Sequence, residues 1–319
     1  MGDILPNLLS PMVLCFLLGI VAELVKSGLE IPSSFIKGIS IYLMFSIGLQ
    51  GGSKLYSVGC STDIALPILA ASLLSFSIPF LCFAFLRSTT SLNNDNAAAV
   101  SAHYGSISII TFAVSLEFLN TYNICAEEFM VTIAAVMETP AIIAGLILKH
   151  KYSEETSSLS VLKKVFFHNS IFLLLGGFAI GYVVGPAIGS VKPFFFDMFK
   201  GFLCIFLMDM GISVARHFHS LENMDWRVLS FSIYMPIINA CIGTIVACNL
   251  LNLSLGGVVV FSALCASASY IAVPAAMRLA IPNANPALYM TLSLGITFPF
   301  NILAGIPYYL KLAQFWKGF

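Results

Sequence analysis

The sequence predicts an all-α integral membrane protein with ten transmembrane helices in a five-plus-five inverted repeat, two of them discontinuous and crossing. Three observations lead to this prediction: the composition, the apolar stretches, and residues that recur at a constant offset. Of 319 residues, 59% are hydrophobic and only 9% are charged. A soluble domain of this length carries far more charge. Basic and acidic residues balance at 15 each, so the net charge indicates no nucleic-acid partner.

Ten apolar stretches are long enough to be membrane spans, since a helix needs about 20 mostly apolar residues to cross the hydrocarbon core. They lie at residues 5–24, 34–53, 64–86, 96–116, 128–148, 169–190, 194–214, 228–250, 255–277 and 286–310. A long polar connection separates the fifth stretch from the sixth. We therefore expect a first five-helix repeat over 1–148, a linker over 149–168, and a second, inverted repeat over 169–319.

The distribution of lysine and arginine predicts the orientation, because cytoplasmic connections are enriched in these residues. The odd-numbered connections, which include the midpoint linker, carry Lys26, Lys37, Arg87, Lys149, Lys151, Lys163, Lys164, Arg216, Arg227 and Arg278. The termini and the other connections carry Lys54, Lys192, Lys311 and Lys317. We expect a multi-pass protein of a bacterial inner membrane, with a cytoplasmic linker and both termini extracytoplasmic.

The two halves resemble each other at an offset of about 160 residues. Lys37-Gly38 recurs as Lys200-Gly201, Asp63 as Asp225, Ala102, Ser106 and Ser108 as Ala263, Ser267 and Ser269, and Pro140 as Pro299. Because each copy has an odd number of spans, five, the second copy enters the membrane from the opposite side. Inverted repeats of this kind are typical of secondary transporters.

The fourth and ninth spans are the candidates for discontinuous helices, since Gly105 and Pro274 weaken them and serine hydroxyls can satisfy freed backbone groups. A half-helix that starts inside the membrane presents N–H groups and partial positive charge to an anion. The predicted substrate-binding residues are Tyr104, Gly105, Ser106, Ser108, Ala266, Ser267, Ala268 and Ser269. The alternative is that these small residues only allow close helix packing.

Four ionisable side chains lie inside predicted spans: His103, Glu138, Asp197 and Asp209. Charge inside a membrane is unfavourable by about 2.5–3.5 kcal/mol on insertion scales, so each is a functional candidate. Glu138, next to the helix-loosening Pro140, is the best cation ligand. Asp209 could instead snorkel or pair, Asp197 lies near the outer interface, and His103 could be a packing residue or a proton carrier.

At these residues the chain resembles the SbtA-type sodium-dependent bicarbonate transporters. The resemblance spans nearly the whole chain and is clearest at residues 47–52, 104–106, 137–140, 255–260 and 281–289. It implies sodium-coupled bicarbonate uptake, a homotrimer, and a core domain with the two broken helices beside a gate domain made of helices one, two, six and seven. It also implies a cytoplasmic PII-like regulator.

The chain departs from the family pattern at several positions. Tyr270 stands where the family has an aspartate, Met137-Glu138-Thr139-Pro140 replaces a Met-Asp-x-Pro motif, and Ser46 replaces a lysine. The predicted cation-coupling residues are Glu138, Thr139, Tyr270, Asp209 and His103, with sodium near Glu138. Whether the coupling ion is sodium or a proton stays open.

The leading hypothesis is a secondary active transporter that imports a small oxyanion by sodium-coupled bicarbonate symport, with sodium as coupling ion and no other cofactor. The alternative is a proton- or sodium-coupled organic anion carrier of the same architecture. An intramembrane serine enzyme using Ser106 and His103 is disfavoured, because no aspartate orients the histidine. A channel is disfavoured by the repeat and the broken helices.

Overall fold

A computed structural model describes residues 11–58, 62–152, 169–221, 224–270, 273–274, 276–277 and 281–318. The first ten residues and positions 153–168 of the predicted linker therefore lie outside the described part of the chain. Within the described ranges every regular element is helical. The prediction of an all-α protein is confirmed for these residues.

The first half of the chain forms six helices, because the fourth predicted span is divided in two. They are α1 (Pro11–Leu24), α2 (Ser33–Val58), α3 (Thr62–Thr89), α4 (Asn94–Gly105), α5 (Ile109–Thr121) and α6 (Met130–Tyr152). Proline lies within α3 and α6, where neighbouring helices can satisfy the freed backbone groups.

The second half contains α7 (Asn169–Val184), α8 (Phe199–Leu221), α9 (Trp226–Asn249), α10 (Leu255–Ala266) and a last helical run, α11 (Pro286–Lys317). Between α7 and α8 the chain forms a 3₁₀ turn (Gly185–Val191) and a π turn (Pro193–Asp197). The last run changes to π geometry at Thr291–Thr297 and Asn301–Gly305. Such π segments are frequent at functional sites.

Six of the described helical segments are long and apolar enough to cross a membrane. They are Ile64–Thr89, Asn94–Thr121, Met130–Lys149, Pro193–Arg216, Trp226–Asn249 and Pro286–Lys317. Shorter apolar helices lie at Pro11–Leu24, Gly176–Val191 and Leu255–Ala266. By length and composition, this is a multi-pass helical membrane protein.

The helices pack as two groups. The scaffold group consists of α1, α2, α7 and α8, and the core group consists of α3 to α6 and α9 to α11. In the scaffold group, Gly19 lies against the backbone of Met208, and Gly211 lies against the backbone of Phe16. Small residues allow this close approach of α1 and α8. The division matches the gate and core domains that the family resemblance implies.

Two of the polar contacts that connect the halves of the core group lie at the starts of helices. The Glu127 carboxylate, just before α6, accepts hydrogen bonds from the backbone N–H and the hydroxyl of Ser254, which caps α10. The backbone N–H of Asn285, just before α11, donates to Oδ1 of Asn96 in the first turn of α4 at 2.7 Å. Each half thus binds the start of an interrupted helix in the other half.

Candidate functional site

The first interruption lies between α4 and α5. Helix α4 ends at Gly105, and a Cβ atom at this position would overlap the ring of Pro79 in α3. Ser106 is extended, with φ −95° and ψ 159°. Ser108 then caps α5, because its hydroxyl accepts the backbone N–H of Thr111 at 3.2 Å. The interruption predicted near 103–106 is therefore observed at residues 106–108.

The second interruption follows α10, which ends at Ala266 and is followed by Ser267 in an extended conformation. The carbonyl of Ala266 accepts a hydrogen bond of 3.1 Å from Nδ2 of Asn301 in α11. Oδ1 of Asn301 accepts the hydroxyl of Tyr309 at 2.6 Å. A carbonyl at the end of an interrupted helix has no helical partner, and the Asn301 side chain supplies one.

The two interrupted stretches meet and bind each other. The backbone N–H of Ser108 donates to the hydroxyl of Ser267 at 2.9 Å. The backbone N–H of Ser269 donates to the carbonyl of His103, also at 2.9 Å. These bonds join residues about 160 positions apart and make the two stretches a single crossing inside the core group.

A small cavity lies beside this crossing. It is lined by Met44, Ile107, Ser108, Ile109, Glu138, Ser269 and Tyr270. Its volume, counted as the space that the centre of a water molecule can occupy, is about 10 Å³. This is space for about one water or one bare ion. Met44 belongs to the scaffold group, whereas the other lining residues belong to the core group.

Among the described residues that line the cavity, one carries a carboxylate: Glu138, which is only 6% exposed. No described side chain donates a hydrogen bond to this carboxylate or forms an ion pair with it. The hydroxyl of Tyr270 is also buried, with no hydrogen-bond partner among the described residues. Buried polar groups normally have partners, so these two are candidates for contact with a ligand.

The start of α5 adds hydrogen-bond donors at the same place. The backbone N–H groups of Ile109 and Ile110, at its first two positions, have no acceptor within the described part of the protein. Such groups carry the partial positive charge of a helix N-terminus. The N–H groups of Ser108 and Ser269 are already occupied by the crossing bonds, so neither is available to a ligand.

Several predicted substrate-binding residues hold the crossing together and do not line the cavity. The hydroxyl of Tyr104 binds Thr297 at 2.6 Å, and that of Ser106 donates to the Glu138 carbonyl at 3.4 Å. Gly105, Ala266 and Ser267 make the contacts described above. Ala268 is buried. Of the eight predicted residues, Ser108 and Ser269 line the cavity.

The predicted cation-coupling residues are also separated by the fold. Glu138 and Tyr270 line the cavity, whereas the half-buried Thr139 does not. Asp209 is half-buried in α8, outside the cavity. His103 lies under the crossing, where Nδ1 is 2.6 Å from the carbonyl oxygen of Ser269. The structure therefore brings two of these five residues to one place.

A larger cavity of about 480 Å³ separates the scaffold group from the core group. Its walls include Ile47 and Gln50 from α2, Phe112 and Glu117 from α5, and Lys200 from α8. Ile47 and Phe112 each lie three residues after a residue that lines the small cavity. About one helical turn therefore separates the two cavities. Nζ of Lys200 and Oε1 of Glu117 are 2.7 Å apart, so an ion pair joins the two walls.

Sequence reasoning missed Met44, Ile107 and Ile109, because apolar side chains in apolar helices carry no distinguishing signal. It also missed Asn301. An amide in the middle of an apolar span is unfavourable unless it has partners, and this signal could have identified Asn301. Among the described residues, no cluster of three or more histidine, cysteine or acidic side chains could hold a metal ion.

Comparison with known proteins identifies the family of the chain. No curated protein matches the chain. The family model of the Na⁺-dependent bicarbonate transporter superfamily matches residues 11–314, which is nearly the whole chain. The interrupted helices and the unpaired carboxylate therefore lie in a chain that belongs to the Na⁺-dependent bicarbonate transporter superfamily.

Proposed function

We propose that the protein imports bicarbonate by sodium-coupled symport and alternating access, with both solutes at the cavity beside the crossing. Membership of the superfamily supports the choice of sodium and bicarbonate. The observation that carries the proposal is the unpaired Glu138 carboxylate, which shares a cavity with the free helix N-terminus of α5. A cation and an anion would each find a complementary charge there.

Sodium would bind next to Glu138. A carboxylate with no partner is strongly disfavoured in a low-dielectric interior, and a bound cation removes this cost. The hydroxyls of Tyr270, Ser108 and Ser269 line the same cavity and supply further oxygen ligands. The space available fits one ion.

Bicarbonate would bind to the N–H groups of Ile109 and Ile110. The described residues of the cavity lining include no lysine or arginine, so among them the helix N-terminus is the source of positive charge, supplemented by the sodium ion. This arrangement suits a small monoanion better than a dicarboxylate, for which a bidentate arginine is the usual partner.

The small cavity cannot hold an oxyanion beside a cation without moving its walls. Met44 is the lining residue that belongs to the scaffold group, and the larger cavity approaches from the same interface. Movement of the core group relative to the scaffold group would therefore open the small cavity toward the larger one. This is the rocking of one bundle against another that alternating access requires.

We further propose ten membrane spans in an inverted repeat, with the larger cavity facing outward and both termini extracytoplasmic. The distribution of lysine and arginine supports the orientation. The reciprocal contacts Glu127–Ser254 and Asn96–Asn285 support the repeat. A homotrimer in a bacterial inner membrane and a PII-like regulator rest on the family resemblance.

The test is uptake of labelled bicarbonate into liposomes at alkaline pH, where little of the label is carbon dioxide. We expect an inward sodium gradient to drive uptake and Glu138→Gln to abolish that dependence. Asp209→Asn is the matched control, because it neutralises a carboxylate in a helix outside the cavity. Glu138→Gln with unchanged sodium dependence would refute the proposal.

The second candidate is a proton-coupled organic anion carrier. It is favoured by one observation: with tyrosine at position 270, Glu138 is the single carboxylate among the described residues that line the cavity, and one buried carboxyl group can carry a proton. Two results together would establish this function instead. A proton gradient would drive uptake without sodium, and an excess of small carboxylates over labelled bicarbonate would inhibit that uptake.

A further inference from the structure

His103 holds both backbone polar groups of Ser269. The N–H of Ser269 donates to the carbonyl of His103 at 2.9 Å. The carbonyl of Ser269 lies 2.6 Å from Nδ1 of the His103 ring. One residue of α4 therefore binds both peptide units that flank Ser269 in the opposite interrupted stretch.

This contact determines which ring nitrogen carries the proton. A carbonyl oxygen can only accept a hydrogen bond, so Nδ1 must be the protonated nitrogen. Nε2 is then an acceptor, and it has no partner among the described residues. The ring is fully buried and stacks on Tyr289 in α11, with centroids 4.5 Å apart and an interplanar angle of 23°.

A charged imidazolium is poorly accommodated here. Protonation would place a second N–H at Nε2, and no described side chain accepts a hydrogen bond from that position. No described carboxylate forms an ion pair with the ring, and Tyr289 is the titratable group packed against it. The surroundings therefore favour a neutral ring with a fixed tautomer.

We propose that His103 is a positioning residue that sets the sodium affinity of the cavity and does not carry a proton. It holds Ser269, whose side chain lines the cavity, and through the peptide bond it orients Tyr270, whose unpaired hydroxyl is buried at the same place. Glu138 faces these groups from α6. This inference rests on the proposed sodium site at Glu138.

Three substitutions at His103 separate the roles of the ring. Asparagine places an amide N–H where Nδ1 lies, because both atoms are two bonds beyond Cβ. Glutamine places its N–H one bond further, and leucine has none. All three lose the stacking on Tyr289, so they differ mainly in the bond to Ser269.

We expect His103→Asn to keep the sodium concentration for half-maximal uptake within about threefold of the wild type. His103→Gln and His103→Leu should raise it about tenfold or more, since an unsatisfied buried carbonyl is strongly unfavourable. Maximal uptake at saturating sodium should change less than the half-saturation value. Equal half-saturation in all three variants and the wild type would overturn the proposal.

A second measurement does not depend on transport. In protein labelled with ¹⁵N-histidine, the signal that disappears in His103→Asn belongs to His103. We expect a neutral ring whose single N–H lies at Nδ1, because the Ser269 carbonyl can only accept a hydrogen bond. A ring that carries its proton at Nε2 overturns the inference, and this result does not depend on transport activity.

The two proposals fail differently. Loss of the sodium site would appear as wild-type sodium dependence in Glu138→Gln. Failure of the His103 inference would appear as a ring protonated at Nε2, or as unchanged sodium half-saturation in His103→Gln, while Glu138→Gln still abolishes sodium dependence.

Discussion

Replacing Asn301 with leucine removes the side chain that joins the end of α10 to α11 while keeping a side chain of similar volume. Asn301 is fully buried, and it bonds the Ala266 carbonyl through Nδ2 and the Tyr309 hydroxyl through Oδ1. The substitution leaves both partners unpaired in a closed interior. Each unsatisfied group costs about 1–3 kcal/mol, so we expect a loss of about 2–6 kcal/mol.

Thermal unfolding of the purified protein in detergent measures this loss. At about 2 °C per kcal/mol, Asn301→Leu should lower Tm by roughly 4–12 °C. The double variant Asn301→Leu/Tyr309→Phe should recover part of the loss, because it removes one of the two unpaired groups. Asn283→Leu, at an exposed asparagine, is the control and should leave Tm nearly unchanged.

Two results would contradict this reasoning. On the same scale of about 2 °C per kcal/mol, a Tm for Asn301→Leu within 2 °C of the wild type would show that the Asn301 bonds contribute little to stability. A double variant less stable than the single one would show that the Tyr309 hydroxyl has another partner.

Three further predictions concern the crossing and the cavities. Gly105→Ala should destabilise the protein by about 1–3 kcal/mol, because the added methyl group overlaps α3. Gly38→Ala is the control, at a glycine with open space around it, and should leave the stability unchanged. Equal Tm values for the two variants would contradict this prediction. Lys200→Glu should lower the stability by less than about 1 kcal/mol, measured as a fall in Tm, since the lysine is 62% exposed. The double variant Lys200→Glu/Glu117→Lys, which exchanges the two charges, should restore the Tm. A double variant with no restored Tm would mean that the ion pair is unimportant. Tyr270→Asp should preserve or lower the sodium half-saturation concentration of uptake, since it adds a second carboxylate to the cavity, and a clear rise would argue against sodium at this position.

Local sequence was sufficient for the helical character of the described residues and for the places where two helices are interrupted. Glycine and extended serines end α4 at residue 105 and α10 at residue 266, close to the positions that the sequence indicated. The two interruptions also preserve the offset of the sequence repeat, because Ser106 and Ser267 adopt nearly the same backbone conformation. Apolar runs and helix-breaking residues act over a few neighbouring positions, so they can be read without knowledge of the fold.

Tertiary packing decided which of the predicted side chains face the site. Tyr104 and Tyr270 both lie beside a serine stretch, yet the first binds Thr297 and the second lines the cavity. Glu138 and Asp209 are both carboxylates within apolar helices, and only Glu138 reaches the cavity. An extended interruption removes the helical period that would predict side-chain direction, and a helix apolar on all sides does not show which face is buried.

The chain by itself therefore determined a helical membrane protein with two interrupted helices and a small set of intramembrane polar residues. The tertiary structure alone decided that Glu138 stays unpaired, that His103 binds Ser269, and that Asn301 completes the end of α10. The Asn301 bond joins residues 35 positions apart in the chain, and the His103 bond joins residues 166 positions apart. The packing of separate helices determines these partners, so local sequence does not predict them.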